Sequence, residues 1–164
     1  TLMGYEVQGT DLEQRMIDYC EQNLSWLKDL YHLEDTKFKL AAGDATNYQW
    51  PKKSDVIASE TYLGRPFTSQ PSPTTLAQTI ADCNLIIKKF LRNISQQIPD
   101  GARLCLAVPA WQYKIGEFRH LPLLDQIEDL GYNRVSFEHV PGKDLVYYRP
   151  DQIVARELLV ITRK

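Results

Sequence analysis

Strand-like and helix-like segments take turns along most of the chain, and that alternation restricts the fold to a parallel sheet joined by right-handed crossovers. "YEVQGTD" (5–11) alternates apolar and polar residues, and Met16, Cys20, Leu24 and Leu27 then recur at helical spacing through "LEQRMIDYCEQNLSWLKDL". Thr10 and Glu13 match a capping box at the start of that helix. "KFKLAAGDA" (37–45) and "SDVIASE" (54–60) read as the second and third strands, short and apolar enough for a sheet covered on both faces. Ser72-Pro73 offers an N-cap and a first-turn proline, and Leu76, Ile80, Cys83, Ile87, Leu91 and Ile94 form the apolar stripe of a long helix that stops near Pro99 and Gly101. "ARLCLAVPAW" (102–111) is the most apolar strand, and "LPLLDQIEDLG" (121–131) predicts another helix.

The tail breaks the alternation. "NRVSFEHV", "DLVYYR" and "ARELLVITRK" are strand-like with no helix-length segment between them, so antiparallel pairing at one edge is expected. The reading is an α/β, Rossmann-like sheet, mostly parallel with an antiparallel C-terminal edge, in one domain spanning 1–164. At 164 residues and 43% hydrophobic, one core is enough.

With 19 Lys plus Arg against 21 Asp plus Glu, the net charge of −2 argues against binding nucleic acid by surface charge alone. Cys20, Cys83 and Cys105 lie far apart in apolar surroundings and read as reduced core residues. No apolar run reaches membrane-spanning length and no signal peptide is visible, so a cytoplasmic protein without a membrane partner is expected. His32, His120 and His139 sit on separate elements without metal-ligand spacing and read as surface residues or as residues that back a site, with no metal site.

Ligands of open α/β sheets bind beyond the carboxyl ends of the strands, and an acid follows each of the first three: Asp11, Asp44 and Glu60. Asp11 suits the two hydroxyls of a ribose, or else assists the helix cap. Asp44 and Ala45 suit an adenine amine and ring nitrogen, or else form an ordinary turn. Glu60 is either a site carboxylate or a solvated loop acid. Their expected position at one end of one sheet favours a site. Trp111 and Tyr113 stand at the same end and suit base stacking or else core or rim packing, while Lys52, Lys53, Arg65 and Arg149 form a modest basic rim or a solvated face.

In this order the features resemble the class I S-adenosylmethionine-dependent methyltransferases over nearly the whole chain. Within them, "GYEVQGTDLEQRMIDYCEQNL" and "LAAGDATNYQWPKKSDVIASETYLGRP", with the closing "LVYYRPDQIVARELLVITRK", resemble the THUMP-associated RNA methylases, which modify guanosine amines of tRNA. The resemblance implies S-adenosylmethionine as cofactor, Asp11 as the ribose ligand and Asp44-Ala45 at the adenine. It implies an RNA substrate, tRNA before DNA. The family motif Asp-Pro-Pro-Tyr-Gly corresponds to Glu60, Thr61, Tyr62, Leu63 and Gly64, with Glu60 as acceptor for the target amine and Tyr62 as the stacking ring; alignment on Tyr62 instead puts Ser59 in the acidic place. Both prolines are absent. Arg65 would contact the substrate beside Tyr62 and Trp111.

The family's first strand and glycine-rich loop have no counterpart, so the segment is expected to be N-terminally truncated, inactive by itself and a weak binder of cofactor. The gap would leave an open sheet edge, expected to pair in a homodimer or, failing that, to close by direct pairing of "YEVQGTD" with "SDVIASE". The rival readings are a non-catalytic module that keeps the fold as a binding surface and a nicotinamide-dependent Rossmann domain.

Overall fold

A computed structural model describes residues 1–33 and 37–164. The chain divides into two compact units, Thr1–Pro51 and Lys52–Lys164.

In the first unit, strand β1 (Val7–Asp11) pairs in parallel with β2 (Phe38–Ala42), Asp11 standing opposite Ala42. Helix α1 (Gln14–Tyr31) connects them and packs on both. Its buried contact is Ile17, with Leu24 and Leu27 half-buried, whereas Met16 and Cys20 of the expected stripe are exposed. The expected capping box is absent: Thr10 remains in β1, and Asp11 Oδ1 accepts the Glu13 amide at 2.9 Å in its place. Gly9 lies against the Leu40 side chain, where a Cβ would stand 3.1 Å from Cδ2.

In the second unit, β3 (Val56–Glu60) pairs in parallel with β4 (Arg103–Lys114). Helix α2 (Pro73–Ile94) links them, capped as expected by Ser72, whose side chain accepts the Thr75 amide. β4 turns back into β5 (Glu117–Arg119). The remaining strands are β6 (Tyr132–Arg134), β7 (Val146–Tyr147) and β8 (Val154–Arg163), with β8 antiparallel to β4, β6 and β7. The main strand order is β3-β4-β8-β6. The expected helix over 121–131 forms only two short 3-10 segments, Pro122–Gln126 and Glu128–Leu130.

Alternation divides the second sheet into two faces. Leu104, Leu106, Val108, Leu159 and Ile161 are buried on one, as are Ile80, Cys83, Ile87, Leu91 and Ile94 of α2. On the other, Val56 is 67% exposed, and Ala58 and Cys105 are exposed too. The expectation of one sheet covered on both faces is therefore corrected, because β1–β2 and β3–β4–β8–β6 are separate ladders. Cys83 alone of the three cysteines is a core residue. Among the described residues β1 pairs with β2 alone and β3 with β4 alone.

Two neutral acids are sealed in the second unit. Burial, helped by the charge of Asp82, pushes the Cys83 thiol from its ordinary 9.0 up to about 11. Burial likewise pushes the Tyr132 phenol from 10.0 up to about 12 against the opposing charge of Arg163, and its hydroxyl donates to the Leu91 carbonyl at 2.8 Å. Raised values mean that the fold favours the protonated forms, so their contribution to stability is whole below pH 9 and is lost as pH rises through about 11 and 12. Urea midpoints should fall on that alkaline limb, and Tyr132→Phe should flatten its upper part. An equally steep limb in Tyr132→Phe would exclude the phenol as a cause.

Candidate active site

The carboxyl ends of β1 and β2 bring Asp11 and Asp44 onto one rim of the first unit. Asp11 ends β1, its carbonyl accepts the Gly43 amide at 2.8 Å, and Asp44 follows directly. Gly43 admits no side chain, because a Cβ would meet the Tyr48 ring at 2.3 Å. The ring thereby braces the turn, and Tyr48 packs edge-on to Trp50 at 5.3 Å. Asp44 Oδ1 accepts the Thr46 amide at 2.9 Å, and its carbonyl accepts the amides of Asn47 and Tyr48. Both aspartates thus do the local work that the turn and cap readings assigned them. A carboxylate has room for further donors once one oxygen is engaged. Asp11 is exposed, so its carboxylate is accessible to a ligand, and Ala45 follows in the same turn.

Glu60, Ser59 and Tyr62 belong to the second unit, which corrects the expectation that the three acids share one sheet. β3 carries Ser59 and Glu60 to its end, where Ser59 Oγ donates to the Glu60 carbonyl at 3.2 Å. The following loop is fastened at three points. The Thr61 amide and hydroxyl both donate to the Ala107 carbonyl at 3.0 Å, and Gln70 Nε2 donates to the Gln112 carbonyl at 3.2 Å. Between them, Gly64 takes φ +87°, against Thr79 and Cys83 of α2. Tyr62 is 45% exposed, so its ring is available for stacking.

Arg156 of β8, which the sequence reading did not single out, pairs through its Nε with Glu60 Oε1. The two residues are 96 positions apart, and only the antiparallel β4–β8 ladder brings them together. A cavity of about 440 Å³ opens beside this pair, between the loop 63–67 and the segment 151–154, with Arg65 and Arg156 in its wall. Its size is within the usual range for small-ligand sites. Trp111 is fully buried in β4 and presents no ring to a ligand, whereas Tyr113 is exposed.

His120 also has a partner that the sequence did not reveal. Its Nδ1 lies 2.6 Å from Oε2 of Glu157, a carboxylate almost wholly buried, whose Oε1 accepts from Arg134 Nη2 at 3.1 Å. Among the described residues no three His, Cys, Asp or Glu side chains group as a metal site.

No family model matches the chain, and no curated protein does. Solved structures do. NSun6 from Pyrococcus horikoshii, solved with SFG, superposes with a TM-score of 0.63 at 14% identity, over 97% of this chain and 41% of that one. The magnesium protoporphyrin IX methyltransferase ChlM from Synechocystis PCC 6803, with bound SAH, gives 0.57 at 14% over 99% and 66%. An rRNA methylase from Streptococcus thermophilus gives 0.52 at 10% over 96% and 73%. The fold is that of the class I S-adenosylmethionine-dependent methyltransferases. The chain thus spans about two fifths of NSun6 and about two thirds of ChlM. No helix among the described residues is long and apolar enough to cross a membrane.

Proposed function

We propose that the protein transfers a methyl group from S-adenosylmethionine to an exocyclic amine of an RNA base, with tRNA the favoured substrate, and that residues 1–164 serve as part of one methyltransferase domain in the cytoplasm. The observation that carries this reading is the pair of carboxylates, Asp11 and Asp44, on the ends of adjacent parallel strands in a methyltransferase fold. They fit the nucleoside half of the cofactor, Asp11 the ribose hydroxyls and Asp44 with the Ala45 amide the adenine. The bound ligands of ChlM and NSun6 and the rRNA substrate class of the Streptococcus thermophilus neighbour support it.

S-adenosylmethionine supplies a methyl group already activated on a sulfonium. The chain's own contribution is therefore orientation and exclusion of water. Glu60, steadied by Arg156, accepts a hydrogen bond from the target amine and aims its nitrogen; Tyr62 stacks on the base, and Arg65 steadies the substrate from the loop.

Transfer of tritiated methyl to bulk tRNA by the intact protein tests this. Asp11→Asn keeps an acceptor for the Glu13 amide but loses the full carboxylate, so the KM for cofactor should rise about tenfold with little loss of stability. Glu60→Ala and Tyr62→Ala should lower kcat by about 100-fold. Wild-type rates from both would remove them from the site, and absence of any transfer would favour the non-catalytic alternative.

A further inference from the structure

The wall of the cavity in the second unit carries Arg65, Asp151 and Arg156, with apolar surface from Leu63, Pro66 and Phe67, and Arg156 also pairs with the Glu60 carboxylate beside it. A partly apolar cavity with a few polar groups in its wall suits a flat ligand with polar edges.

Arg156 spends Nε on Glu60, leaving its terminal amino groups as donors beside a carboxylate that only accepts. An acceptor next to a donor is the complement of an amine attached to a carbon whose neighbouring ring nitrogen carries a lone pair. Adenine, cytosine and guanine each contain that unit, in N6 with N1, N4 with N3 and N2 with N3; uracil has no such amine.

We infer that Arg156 determines which bases the cavity accepts, by donating a hydrogen bond to the ring nitrogen adjacent to the amine that Glu60 binds. The inference rests on the proposed reading that this cavity takes the target base. It gives Arg156 two tasks, positioning Glu60 and reading the base, through one rigid guanidinium. Arg156 is well placed for both, since β8 is bonded on either side by β4 and β7 at this residue, opposite Pro109 and Tyr147.

Binding of fluorescent RNA hairpins to the intact protein, read by anisotropy, tests it without requiring turnover. The hairpins carry in their loop adenosine or 1-deazaadenosine, cytidine or 3-deazacytidine, guanosine or 3-deazaguanosine; each deaza base lacks only the ring acceptor. For at least one pair, the deaza base should bind wild type about 10- to 100-fold more weakly, the ordinary loss when a charged donor has no acceptor. In Arg156→Gln that difference should shrink to less than about threefold, and Arg156→Lys, which keeps the charge near Glu60 but not the planar fork, should fall between. A purely structural Arg156 would weaken native and deaza hairpins by the same factor and leave the difference intact. That result, or equal binding of native and deaza hairpins by wild type in all three pairs, would overturn the inference. Arg156-dependent discrimination without methyl transfer would sink the methyltransferase reading alone, and methyl transfer without discrimination would sink this inference alone.

Discussion

Replacing Gly64 by alanine should destabilise the second unit by about 2–5 kcal/mol, the sum of a strained backbone and an overfilled contact. Gly64 has φ +87°, where any Cβ is disfavoured, and the Cβ would stand 2.7 Å from Thr79 Cγ2 and 3.1 Å from Cys83 Sγ. Neither neighbour can easily yield. Thr79 is buried, and its hydroxyl donates to the Thr75 carbonyl at 3.0 Å, which fixes the rotamer that aims the methyl at Gly64. Cys83 is fully buried in the same helix. The steric and backbone parts separate in a double variant. Thr79→Ser keeps the hydroxyl and deletes the methyl, so Gly64→Ala with Thr79→Ser should recover about 1–2 kcal/mol of the loss in urea unfolding, leaving the φ strain. If the single variant unfolds at the wild-type urea concentration, Gly64 does not pin the loop. The loop carries Arg65 and the wall of the cavity, so the same variant should lose base binding even where it remains folded.

The glycine was legible in the sequence as the end of a Glu60-to-Gly64 motif, but its reason was not, because Thr79 and Cys83 lie on a helix that begins after a proline-rich loop. The same division holds elsewhere. Local signals were sound where short-range physics decides: Ser72-Pro73 starts α2, and its apolar stripe is the buried one. They misled where two local solutions compete. Thr10 and Asp11 both suit a cap, and continuation of β1 through Asp11 left Thr10 in the strand and the capping to Asp11. Over 121–131 the segment "LPLLDQIEDLG" read as a helix, yet Leu121, Leu123 and Ile127 are all buried around short 3-10 segments with Leu123's amide tied to Asn84. The ends of the strands located Asp11, Asp44 and Glu60 directly. Arg156 was invisible because its part depends on the β4–β8 register, which no spacing within "ARELLVITRK" encodes.

Glu157 is the other product of that register, and it supports the second large effect. Arg156 and Glu157 are adjacent on β8 and so point to opposite faces, one toward Glu60 and the other into a buried position opposite Val108. The Glu157 carboxylate is almost wholly buried, with one oxygen on His120 and the other on Arg134, and both of those partners are about half exposed. The asymmetry predicts unequal costs. Removing the acid leaves an imidazole and a guanidinium that water can resolvate, so Glu157→Gln should cost about 1 kcal/mol. Removing both partners, as in His120→Ala with Arg134→Ala, leaves a carboxylate with neither water nor counter-charge and should cost about 3–5 kcal/mol. Adding Glu157→Gln to that double variant should restore part of the loss, because a neutral amide tolerates the site better than an unpaired charge. Urea unfolding of the intact protein separates the cases: if the double variant is no less stable than Glu157→Gln alone, or if the added glutamine restores nothing, the buried charge is not what His120 and Arg134 are there to balance.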